Sequence, residues 1–175
     1  MINLKIARQT FDFDCGAKVL QTVMAYYGVE VREDELMKEL HTNSDGTSVA
    51  NIVKAAQDRG FEVYKKNGFP LEEVKRFVDE GHPVMVVLQA WADRYMTLAD
   101  WKEDYDDGHY AVVIGHQNGI IIFEDPASFR RTWLSEEEFL VRWHDMDAKT
   151  GKKYEHFGMV LIGKVPAAPA VEHMD

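Results

Sequence analysis

The chain has one cysteine, Cys15, so an internal disulfide framework is excluded. That thiol is either an inert buried side chain or a working one, and composition alone does not choose between them. Five prolines among 175 residues are too few for a collagenous or low-complexity chain. Long hydrophobic runs are lacking as well: Pro83 to Leu88 and Gly119 to Phe123 are far too short to cross a bilayer. At the N-terminus Lys5 and Arg8 break a brief apolar patch, leaving no signal-peptide core, and a cytoplasmic location is expected. Basic residues are scarce, with 20 Lys and Arg against 30 Asp and Glu and a net charge of −10. Only short pairs such as Lys65-Lys66 and Lys152-Lys153 interrupt the acidity, so a phosphate backbone would be repelled and no nucleic-acid partner is expected. The acidity favours basic or neutral peptides as ligands, although its commoner meaning is solubility.

What is present is ordinary globular composition, 46% apolar and 29% charged. A chain of this length removes roughly two-thirds of its unfolded surface from water on folding and needs no external staple. One domain over residues 1–165 is expected, with the Pro- and Ala-rich tail 166–175 fraying. Apolar residues at helical spacing, Val19, Leu20, Val23, Met24 and Tyr27, predict a helix from Asp14 to Tyr27 with Cys15 at its start. Further helices are expected over Arg32 to Leu40, from a Thr47 cap to Gly60, and between Pro70 and Gly81. Strands are expected at Phe61 to Lys65, Val84 to Leu88, His109 to Gly115, Ile120 to Glu124 and His156 to Ile162. Asn118-Gly119 is a hairpin signal, and Ser135 with Glu138 forms a capping-box pattern before Phe139 to Trp143. Helices segregated before an antiparallel sheet define the α+β class.

A catalytic cysteine must be partly thiolate, and a helix N-terminus supplies the N–H groups and positive dipole that favour that form. Cys15 occupies such a place, flanked by Asp14 and Gly16, although free cysteines are more often simply buried. Gln9, the run Asp14-Cys15-Gly16, the run Gly108-His109-Tyr110 opening an apolar strand, and Asp125-Pro126 follow in order. This pattern resembles the double-glycine leader peptidases, papain-like domains best known at the N-terminus of bacteriocin-exporting ABC transporters. The resemblance extends over about Arg8 to Trp143, including Gly46-Thr47 and Gly60-Phe61. It implies a papain-like fold with Cys15 as nucleophile, His109 as base, Asp125 as its orienter and Gln9 as an oxyanion-hole donor. It also implies a peptide or protein substrate, cleavage after a Gly-Gly leader and an ABC transporter as partner. The transporter domains that usually follow do not appear in this sequence, so a stand-alone member is expected.

The chemistry asks for these residue types independently: an imidazole to take the thiol proton, a carboxylate to fix its tautomer, and amide donors for the oxyanion. Gln9 can reach back toward Cys15 only if Thr10 to Asp14 loops. Among seven histidines, His41, His82, His144 and His173 are expected to be solvated at turns, helix ends or the tail. His116 is the rival of His109, and their odd interval places the two on opposite faces of one regular strand. A strict two-residue turn at Asn118-Gly119 would put Asp125 on the face opposite His109, so an odd-length loop, a bulge near Gln117 or a bend before Pro126 is expected. The stretch between Gln89 and His109, with Trp91, Tyr95, Met96, Trp101 and Tyr105, reads equally as a substrate-covering flap or as a short helix from Thr97 to Tyr105. Its Asp93, Asp100, Asp104, Asp106 and Asp107 lack EF-hand spacing, and one cysteine with scattered histidines offers no zinc spacing, so neither metal nor cofactor is expected. A deamidase or acyl transferase would use the same three residues, a docking module would keep the fold without turnover, and a redox sensor would lack a resolving cysteine.

Overall fold

A computed structural model describes residues 1–4 and 8–167. Most of the expected tail, 168–175, lies outside the described residues, as do Lys5, Ile6, Ala7 and His173. The N-terminal half contains helices α1 (Cys15–Tyr26), α2 (Glu33–Glu39) and α3 (Val49–Asp58), then strand β1 (Glu62–Lys66) and helix α4 (Leu71–Asp79). Strand β2 (Val84–Gln89) leads through the short helix α5 (Leu98–Glu103) to β3 (Gly108–Gln117) and β4 (Ile120–Glu124). β5 (Thr132–Ser135), α6 (Glu136–Arg142), β6 (His144–Met146), β7 (Lys153–Glu155) and β8 (Gly158–Ile162) complete the order. Six strands form one antiparallel sheet in the order β1-β8-β2-β3-β4-β5, and β6-β7 pair separately.

Every residue of β2 is buried, because this central strand is covered on both faces. One continuous apolar core joins the α1 side chains Val19, Leu20, Val23 and Met24 to the strands through Val86, Val112 and Val160. Side-chain caps open three of the helices, α3, α5 and α6. Ser48 rather than Thr47 caps α3, its side chain accepting from the Asn51 N–H, while Thr47 turns inward. Reciprocal capping boxes open α5 (Thr97 with Asp100) and α6 (Ser135 with Glu138). The long connection therefore contains a helix, although it stops at Glu103 and buries none of its own residues. The last strand starts two residues later than expected because His156 has φ 47°, which breaks the extended run between β7 and β8.

The β3-β4 hairpin sets the geometry of the site. Asn118 (φ 50°) and Gly119 (φ 78°) form the two-residue turn with two left-handed residues, and Gln117 pairs with Ile120. The bulge lies earlier in β3 and further from the turn than the expected place near Gln117, between Val113 and Gly115, leaving Ile114 as the extra residue. Ile114 is buried, and its carbonyl accepts the Ile2 N–H at 2.8 Å. Val112 consequently pairs with Glu124, which places Asp125 on the sheet face of His109.

Candidate active site

Cys15 is the first residue of α1 and lines a cavity of about 280 Å³ together with His109, Gly108 and Tyr110. It is 8% exposed, a buried thiol that still borders open space. The segment before it loops as its spacing required. Asp14, fully buried, does not cap α1 with its side chain; Oδ2 instead accepts the N–H groups of Thr10 at 2.9 Å and Phe11 at 3.2 Å. Burial raises the Asp14 pKa, as does neighbouring Glu33, against the lowering effect of those two N–H groups. The turn so held carries Gln9, whose N–H donates to the Pro126 carbonyl at 2.9 Å and whose Nε2 donates to the Phe11 carbonyl at 2.8 Å. Gln9 is thereby stitched to the residue after Asp125 while belonging to the loop before Cys15.

His109 Nε2 lies 2.7 Å from Asp125 Oδ1, with both side chains buried. Burial acts to lower the imidazole pKa, but Asp125 and Cys15 outweigh it and push the value up to about 9. Cys15 and His109 line the same cavity, and Asp125 meets the ring at Nε2. Burial acts to raise Asp125, yet His109, the Ala127 N–H and Trp91 together hold its carboxyl below the usual range. Oδ1 also accepts the Ala127 N–H at 2.8 Å, and Oδ2 accepts the Trp91 indole N–H at 3.0 Å.

His116 does not lie on the opposite face from His109, as the odd interval had implied. Beyond the bulge His116 pairs with Ile121, so it shares the face of His109. It is set apart by position instead: its Nε2 is 3.0 Å from Asp79 Oδ1 at the end of α4. His144 also departs from expectation. It is buried, with Nε2 2.8 Å from the Asp104 carbonyl and Nδ1 3.0 Å from that of Val141, joining the 90–108 connection to the end of α6. His82 is half-buried against the Tyr27 hydroxyl at 3.0 Å, whereas His41 is exposed.

Acidic residues from four segments, Asp12, Asp45, Asp106, Asp145 and Asp147, line the cavity, with Lys149 as a basic neighbour. Asp145 is pushed up to about 6 by burial, opposed in part by the Met146 N–H and the Gln89 side chain. Its carboxylate lies against the Cα of Gly108, where an added Cβ would stand 2.6 Å from Oδ1. A side chain at position 108 would have to displace that carboxylate. Among the described residues, no three His, Cys, Asp or Glu side chains gather as a metal-holding group, and no helix is long and apolar enough to cross a membrane.

A cysteine at a helix start, sharing a cavity with a histidine hydrogen-bonded to an aspartate across a bulged antiparallel hairpin, is the arrangement of the papain-like fold. The model of the Peptidase C39 family matches residues 3–148, and the chain belongs to that family. The lactococcin-A transport/processing ATP-binding protein LcnC of Lactococcus lactis subsp. lactis is 27% identical over 136 residues, 77% of this chain and 17% of that protein. The chain thus spans about a sixth of the length of that relative. The peptidase domain of Streptococcus ComA, described as a bi-functional ABC transporter involved in quorum sensing, superposes with a TM-score of 0.66 and 28% identity, covering 91% of this chain and 98% of that one. A double glycine motif protease from an AMS/PCAT transporter, solved with the leader peptide, shares the fold at a TM-score of 0.63 and 19% identity, covering 91% of each chain.

Two contributors to the site escaped sequence reasoning. Asp14 was visible only as a polar neighbour of Cys15, because nothing local signals that its side chain turns back to the Thr10 and Phe11 N–H groups. Trp91 was one aromatic among four in its stretch, and no sequence signal ties it to Asp125.

Proposed function

We propose that this chain is a cysteine peptidase that cleaves a peptide bond through a thioester acyl-enzyme, using Cys15, His109, Asp125 and Gln9. The observation that carries the reading is the 2.7 Å His109–Asp125 bond beside a cavity that Cys15 and His109 both line. Cys15 as thiolate attacks the scissile carbonyl carbon. The resulting oxyanion is held by the Cys15 backbone N–H, free at the first turn of α1, and by the Gln9 amide hydrogen not given to Phe11. Collapse breaks the C–N bond as the His109 imidazolium donates its proton to the leaving amine. Neutral His109 then deprotonates water, which attacks the thioester and releases the acid and the thiol. Asp125 orients the ring throughout and stays ionised.

A substrate with a double-glycine leader is the reading favoured by the named functions of the relatives, and an ABC transporter is the corresponding partner. A free catalytic thiol suits a reducing compartment, and we assign the chain to the cytoplasm. The test is incubation with a library of leader-like peptides, some carrying Gly-Gly, followed by mass spectrometry. New termini after Gly-Gly that vanish in Cys15→Ala support the proposal. A one-dalton gain would make the chain a deamidase, and retained but unchanged peptides would make it a docking module.

A further inference from the structure

Trp91 immediately follows Ala90 at the end of β2, where the chain leaves the sheet for the 90–107 connection. Its φ is 67°, a left-handed conformation that is uncommon for a bulky side chain and persists only where surrounding contacts determine it. Those contacts are present. The Gln89 carbonyl accepts from Arg142 Nε at 2.9 Å, and the Ala90 N–H donates to the Asp107 carbonyl at 2.9 Å. Both bonds hold the one peptide unit between Gln89 and Ala90, immediately before Trp91, whose indole lies back against the hairpin.

There the indole N–H, a donor with no acceptor capacity, meets Asp125 Oδ2 at 3.0 Å. The two carboxylate oxygens consequently have separate partners: Oδ1 serves His109 and Ala127, and Oδ2 serves Trp91. A carboxylate rotates easily about its terminal torsion, so donors on both oxygens are what fix its plane. The ring also walls a second cavity, of about 270 Å³, with Leu88, Ala111 and Phe123, which Asp125 borders and Cys15 does not. An apolar wall and a single aimed donor sit beside the His109–Asp125 pair.

We propose that Trp91 is a positioning residue of the Cys15 site, its indole N–H fixing the Asp125 carboxylate so that the opposite oxygen faces His109. The inference rests on the peptidase reading for its kinetic consequence, but its structural part is tested without turnover.

Trp91→Phe keeps an aromatic ring and removes the donor. It should lower kcat about tenfold or more with KM little changed, the loss of a hydrogen bond to a charged acceptor. In Asp125→Asn, the amide must turn its oxygen to His109 and Ala127, leaving its NH₂ opposed to the indole N–H. Adding Trp91→Phe to Asp125→Asn should therefore raise kcat, a reversal of sign in the double-mutant cycle. A KM rise alone would make Trp91 a substrate contact, and losses that simply add in both backgrounds would make it packing; either result overturns the proposal. The second readout is the indole ¹H–¹⁵N resonance of the intact protein, assigned by its disappearance in Trp91→Phe. It should move and exchange faster in Asp125→Ala, while the Trp143 indole, bonded to the Phe157 carbonyl at 2.8 Å, stays put. A Trp91 resonance indifferent to Asp125 refutes the positioning role even if peptides are cleaved, and a coupled resonance sustains it even if none are.

Discussion

Asp125 Oδ1 reaches His109 Nε2 at 2.7 Å because β3 carries one more residue than β4 between Val113 and Gly115. Without that extra residue the two-residue turn at Asn118-Gly119 would direct the carboxylate to the opposite face. Asp125→Asn should then cost less than Asp125→Ala, since the amide still offers the ring an acceptor and alanine offers none. Steady-state kinetics on both variants check the order; equal losses would remove Asp125 from the orienting role.

The proton on His109 carries a pH signature. Its folded value of about 9 lies above the ordinary imidazole value of about 6.5, so the associated stabilisation is fully present below about pH 6.5 and lost as pH rises through about 9. The alkaline limb of kcat/KM should fall near pH 9, because the imidazolium that protonates the leaving amine disappears there. In Asp125→Ala that limb should move to lower pH, since Asp125 is one of the groups holding the value up. A pH profile of both proteins decides it, and an unmoved limb would contradict the coupling.

Much of this architecture was legible beforehand for local reasons. The helical spacing from Val19 to Tyr27, the Asn118-Gly119 turn and the Ser135–Glu138 capping box are short-range signals, and the structure follows them. The bulge was legible only as a requirement. Its location at Ile114 depends on the Ile2 N–H arriving from the far end of the chain, which no local pattern reports. The same displacement undid the argument from alternating faces against His116. β6 and β7 were missed because three-residue strands have too few alternations to read, and the buried place of His144 depends on Asp104, forty residues away.

Gln9→Ala should lower kcat by roughly a hundredfold or more with KM little changed, the mark of a donor used chiefly in the transition state. Kinetics on the variant check this. A rise in KM with kcat preserved would reassign Gln9 to ground-state binding of the peptide.

Gly108→Ala should impair turnover, because its Cβ would stand 2.6 Å from Asp145 Oδ1 and 2.9 Å from Oδ2 and must displace either that carboxylate or the start of β3. Shortening Asp145 to alanine in the same protein should restore part of the activity. Comparing kcat/KM of the single and double variants tests this, and additive losses would place the strain elsewhere.

The central claim is that Cys15 is a nucleophile activated by the ion-paired His109. The most direct measurement is the rate of iodoacetamide alkylation of Cys15 at pH 6, followed by mass spectrometry in the intact protein and in His109→Ala. The account predicts rapid labelling of the intact protein, much faster than a free thiol at that pH, and a large fall in the variant, since an imidazolium neighbour favours the reactive thiolate. Equal, slow labelling of both proteins would contradict it and leave Cys15 an ordinary buried thiol.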